Sequence, residues 1–149
     1  MKVVAVDIQG FMLLSVGGGY EFYPKEITIR DACQVSHYLM KPPMRFHELT
    51  NANKKQVRYT ERNIHGISYS SGNIEYSECA LNSILLGNYL LSAHIIYVRG
   101  HQKLDYLKKI LSQLVPSSHQ HLPKVVNVEK FDNWWNNPPP LAQVDITTG

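Results

Sequence analysis

Residues 2–8, KVVAVDI, constrain the fold of this chain more than any other stretch. Three valines and an isoleucine suit a pleated, buried backbone, so the run reads as a central β-strand. Gly10 follows, and FMLLSV at 11–16 predicts a second strand. Gly17, Gly18 and Gly19 make a turn into YEFYPKEITI at 20–29, a third strand interrupted by Pro24. Three strands on tight turns imply an antiparallel meander. Pro24 cannot donate to a ladder, which suggests an edge position or a bulge.

From about 37 to 76 the apolar pattern fails. Pro42, Pro43, several asparagines, Gly66 and Gly72 mark a long irregular connection, of the kind that is functional or hides short helices. It is rich in cations: Lys41, Arg45, Lys54, Lys55, Arg58 and Arg62 stand among Phe46, His47, Tyr59 and His65. Beyond it, Ser77 can cap a buried helix over about 78–92, with Glu78 in its first turn. HIIYVR at 94–99 predicts a buried strand. A helix over about 102–114 carries Leu104, Leu107, Leu111 and Leu114 on one stripe, with Lys103, Lys108 and Lys109 outside it, and Pro116 ends it. KVVNV at 124–128 is a last strand, EKFDNWW starts a short helix, and NNPPP closes the ordered part. The expected architecture is therefore α/β: a meander running into β-α-β units, a mixed sheet flanked by helices. One domain over 1–135 and a loose tail over 136–149 fit a chain of 149 residues.

Composition bounds the partners without choosing one. Hydrophobic residues make up 44%, enough for a core, and a net charge of +3 permits nucleic-acid binding without requiring it. Cys33 and Cys79 form no metal-spacing or disulfide framework, so they read as buried or indifferent thiols in an intracellular, reducing compartment. The longest apolar stretch, 79–97, contains Asn82, Asn88 and His94, which argues against a membrane span.

Four local features, in order, resemble the DEDD exonucleases of the ribonuclease H-like superfamily. The first strand ends Val6-Asp7-Ile8-Gln9, where that family has Asp-x-Glu. His65-Gly66-Ile67-Ser68 is similar to its His-Gly-Ile-Thr segment. A buried helix and a strand at 94–98 come next. Then Gly100-His101-Gln102-Lys103-Leu104-Asp105 stands where the family has a histidine, an aspartate and a leucine-rich helix. The resemblance implies a ribonuclease H-like sheet and a site where four carboxylates bind two Mg2+ or Mn2+ ions for 3′–5′ cleavage of a polynucleotide. Carried over residue by residue, Asp7 is the first ligand, Gln9 takes the second place without its charge, and Asp105 is the third. The fourth aspartate and the histidine base belong in a helix after 124–128, and no His-x-x-x-x-Asp occurs there. His119 and His121 precede that strand, and Asp132 and Asp145 follow it in other surroundings.

Losing charge from such a site weakens its hold on hard cations. The expectation is therefore a degenerate, non-catalytic exonuclease-like domain that binds single-stranded DNA or RNA, or a protein partner, and does not associate with membranes. Lys54, Lys55, Arg58, Tyr59, Arg62 and His65 form the candidate nucleic-acid set. Asp7, Gln9 and Asp105 form the degenerate catalytic set, with Asp7 and Asp105 as the metal ligands. The alternative is an active metal-dependent 3′–5′ exonuclease. Plainer readings stand beside these. Asp7 can cap a turn before Gly10, and Asp105 suits the first turn of any helix. His65 can be a packed loop histidine. The basic run can be a solvated face, and Trp134 and Trp135 can cover the end of the core.

Overall fold

A computed structural model of the chain describes residues 1–114 and 122–131. In chain order the elements are β1 (Val3–Leu14), β2 (Tyr20–Arg30), β3 (Val35–Leu39), α1 (Asn51–Asn63), α2 (Glu78–Gly87), β4 (Ile95–Val98), α3 (His101–Leu114) and β5 (Lys124–Asn127). Short 3-10 turns lie at Phe46–Glu48, Leu90–Ser92 and Val128–Phe131. The five strands form one sheet in the order β3-β2-β1-β4-β5. β4 runs parallel to β1 and to β5, with Val6 level with Val98 and Val98 level with Asn127. β1, β2 and β3 are joined by connections too short for parallel crossovers, so this half is antiparallel. The protein is thus α/β with a mixed five-stranded sheet.

The meander is built differently from the sequence expectation. The two strands expected at 2–8 and 11–16 are one strand, β1, which runs through Gly10. Its buried side changes phase there: Val4, Val6 and Ile8 are buried before Gly10, Phe11 and Leu13 after it. A Cβ on Gly10 would lie 2.3 Å from the Tyr23 carbonyl oxygen and 2.7 Å from the Phe22 ring. The glycine marks a close approach to β2, not the end of a strand. The third meander strand is β3, in a stretch with no strand expected. Pro24 lies in β2, which has neighbours on both sides, so the edge expectation is corrected. Lys25 O accepts from Met40 N–H on the β3 side. By alternation the Pro24 nitrogen faces β1, near its phase change.

The expected irregular connection contains α1. Apolar periodicity misses this helix because Val57 is its one strongly apolar buried position, beside buried Asn53 and Thr60. Its start is chemically marked, with Thr50 accepting a hydrogen bond from Asn53 N–H. α2 starts as expected, Ser77 Oγ accepting from Ala80 N–H at 3.0 Å. It ends at Gly87 instead of 92, and Tyr89 follows in the left-handed region at φ 56°. α3 buries Leu107, Ile110 and Leu111 and leaves Lys108 and Lys109 exposed. Cys33 and Cys79, expected to be buried or indifferent, are both exposed. His119, His121, Asp132, Trp134, Trp135, Asp145 and the expected tail lie outside the described residues.

The residues group into two compact units, each discontinuous in sequence. One comprises 1–7, 29–36 and 85 onward. Its core holds Val4, Val6, Ile95, Ile96 and Val98, with Leu107, Ile110 and Leu111 of α3, which packs against β5. Here Lys2 N–H donates to His94 Nδ1 at 3.0 Å. The other comprises 8–28 and 37–84. Phe11, Leu13, Leu49, Val57 and Tyr69 form its buried cluster, with Tyr23 and Phe46 against it.

Candidate nucleic-acid interface and the carboxylate positions

Helical geometry gathers what the sequence spread over a basic run. At 100° per residue, Lys54, Lys55, Arg58, Tyr59 and Arg62 spread over about 140° of the helix, centred opposite buried Asn53, Val57 and Thr60. With Asn63 they line a shallow surface depression of about 350 Å³. Tyr59 is 57% exposed. Among the described residues Lys54, Lys55 and Arg62 form no ion pair; Lys55 and Arg62 are exposed, while Lys54 is half-buried with its Nζ 5.9 Å from the Phe46 ring centroid. Arg58 differs: its guanidinium lies 4.0 Å from the Phe46 ring centroid and its Nη1 donates to Glu61 Oε1 at 2.7 Å. It is oriented and largely neutralised.

The other carboxylate oxygen of Glu61 accepts from Tyr69 N–H at 2.7 Å. Burial would raise the Glu61 carboxyl, but that N–H and the Arg58 guanidinium outweigh it and hold the group below its ordinary value. Tyr69 is 1% exposed; its hydroxyl donates to Met44 O, and its ring meets the edge of Phe11. Lys25, also buried, donates from Nζ to Tyr69 O at 2.8 Å and to Ser71 O. Burial pushes its ammonium down to about 8, opposed in part by the field of Glu61. These contacts secure the 65–72 segment against β2 and α1.

His65, in the candidate nucleic-acid set, serves this same framework. Its Nδ1 accepts from Ile67 N–H and its Nε2 donates to Gly10 O, both at 3.0 Å, and its ring meets Phe11 edge-on with centroids 4.9 Å apart. The His-Gly-Ile-Ser segment is a loop that follows α1, and the next helix begins ten residues after Ser68, at Glu78.

Asp7 is exposed on β1, one residue beyond the Val6–Val98 register, at the carboxyl end of the parallel strands. At the same end Gly100 N–H donates to Asn127 Oδ1 at 3.0 Å and α3 begins. Such an end is where α/β sheets take ligands. Asp105 is exposed on α3, past its first turn, which contains no acidic residue. Gln9 is half-buried, two residues after Asp7 on β1. Among the described residues, no three His, Cys, Asp or Glu side chains gather as a group able to hold a metal ion. Paired divalent cations need more hard oxygen donors than Asp7 and Asp105 supply.

No protein-family model matches the chain, and no curated protein matches it significantly. Among the described residues no helix is long and apolar enough to cross a membrane.

Proposed function

We propose that the protein is a non-catalytic nucleic-acid-binding module that holds single-stranded DNA or RNA along the solvent face of α1. One observation carries the reading: a single helix presents Lys54, Lys55 and Arg62, with no ion pair among the described residues, beside an exposed Tyr59, over a shallow depression. Unpaired cations contact phosphates, and an aromatic face takes a base of any identity. The strand order β3-β2-β1-β4-β5, with an antiparallel half and a parallel half, supports a ribonuclease H-like ancestry. The neutral Gln9, at the place where the resembled family carries a glutamate, supports loss of turnover.

Binding of a labelled single-stranded oligonucleotide, followed by anisotropy over a range of salt concentrations, tests this. Affinity should fall as salt rises. Lys54→Ala, Lys55→Ala and Arg62→Ala should each lower the slope of log affinity against log salt by about 0.7. Binding with no salt dependence, or no binding, overturns the reading; metal-dependent shortening of the strand that Asp7→Ala abolishes would restore the exonuclease.

A further inference from the structure

In the compact unit that carries α1, the segments 41–48 and 70–75 line an open pocket of about 530 Å³. The two segments are tied together at both of their approaches. Met40 and Ile74 form a parallel bridge, Lys41 N–H donates to Ile74 O, and Lys41 Nζ meets Glu75 Oε1 at 2.9 Å. Buried Tyr69, which leads into the second segment, donates its hydroxyl to Met44 O at 2.8 Å. Between these ties Pro42 and Pro43 fix their own φ angles. The pocket is therefore preformed, and its size suits one small ligand unit.

Pro42, Pro43 and Met44 give it an apolar wall. Its charged groups are unequally engaged. Lys41 and Glu75 neutralise each other. Arg45 and Glu48 sit on one turn, with Glu48 N–H donating to Arg45 O, and both are exposed. The Arg45 guanidinium has no hydrogen bond or ion pair among the described residues. Glu48 has only His47 Nε2 at 4.0 Å, too far for a hydrogen bond. The pocket also adjoins the cationic helix. Phe46 follows Arg45, and its ring centroid lies 4.0 Å from the Arg58 guanidinium and 5.9 Å from Lys54 Nζ. One residue thus separates Arg45 from two cations of α1.

Resting on the α1 reading, we infer that this pocket receives one nucleotide of the same strand, with a phosphate on Arg45, and that Glu48 selects a base bearing an exocyclic amino group. The contacts through Phe46 make Arg45 the next cation along the path of a strand lying on α1. The apolar wall takes the face of a base. A carboxylate only accepts hydrogen bonds, so Glu48 suits the amino group of cytosine, adenine or guanine. Thymine presents a carbonyl oxygen where cytosine has its amino group, and the carboxylate repels it. Glu75 is held by Lys41, which leaves Glu48 as the reading group.

Anisotropy with labelled oligodeoxycytidine and oligothymidine of equal length tests this in the full chain. The unaltered protein should bind the cytidine strand about tenfold more tightly, the scale of one base contact. Glu48→Ala should bring the two affinities together. Arg45→Ala should lower the slope of log affinity against log salt by about 0.7 on the cytidine strand. Both residues are exposed, so both variants should keep the circular dichroism spectrum of the unaltered protein. Lys54→Ala should weaken both strands alike and keep the preference. Equal binding of the two strands by the unaltered protein, a preference that survives Glu48→Ala, or an Arg45→Ala slope that does not move overturns the inference and leaves the α1 reading intact. Unchanged salt slopes in the α1 variants overturn the α1 reading, and failure of the unaltered protein to bind either strand removes both.

Discussion

Lys25 and Asn53 are both polar, both buried, and hold different parts of the same unit. Lys25 keeps its proton in the unfolded chain up to its ordinary 10.5, but in the folded protein only to about 8. Between these values the unfolded chain binds more protons, so stability rises with pH, and below about 8 the folded state bears the full cost of the buried ammonium. Above about 10 the sign reverses. Tyr23 and Tyr76, held near 12 chiefly by burial, then stay neutral while their unfolded counterparts ionise. Urea midpoints should therefore climb from about pH 8 to 10 and fall beyond, and Lys25→Met should flatten the climb. A midpoint that falls steadily from pH 8 would remove the buried-ammonium account. Asn53 instead pairs both backbone groups of Leu14. Asn53→Ala leaves the Leu14 N–H and carbonyl without their clamp and should cost about 1–3 kcal/mol in denaturant unfolding. Asn53→Asp should cost at least as much, because it sets a carboxylate oxygen against the Leu14 carbonyl.

Among the elements, β1 is the one whose continuity depends on a single residue. Gly10→Ala would drive a methyl into the Tyr23 carbonyl oxygen, which is backbone and cannot swing aside. A loss of about 1–3 kcal/mol is expected, read as a lower thermal midpoint, and an unchanged midpoint would mean the β1–β2 approach is wrong. The same glycine shows how far local pattern reaches. It splits an apolar run that the sheet keeps whole, because a residue's spacing to a neighbouring strand is not written in its own stretch of chain. β4 and α3 were legible because each is apolar at its own period, with Gly100 between them, and β5 because it is a short run carrying Val125 and Val126. α1 was not, since Asn53 and Thr60 fill buried positions usually taken by apolar residues. Its signal lay instead in the exposed face: cations and Tyr59 at 54, 55, 58, 59 and 62 follow helical spacing. The residues of the candidate interface were therefore visible in the sequence while the helix that aligns them was not. His65 shows the opposite case, since its composition-level promise ends in hydrogen bonds to Gly10 and Ile67.

At the scale of the whole molecule the decisive quantity is how much negative charge stands ready to hold a cation. A cation bound only by the folded protein stabilises it by RT ln(1 + [L]/Kd), about 2.7 kcal/mol at a hundredfold excess over Kd. Asp7 and Asp105 are two carboxylates, Gln9 contributes none, and no larger ligand group gathers among the described residues. Thermal midpoints in chelator and in millimolar magnesium or manganese should therefore coincide, and Asp7→Asn should leave them in place. The same solutions should leave a single-stranded oligonucleotide intact while the protein still binds it. The two readouts discriminate between causes. A midpoint raised by manganese and lost in Asp7→Asn would mean that Asp7 holds a metal. Strand shortening together with that shift would mean that the neutral Gln9 does not prevent turnover.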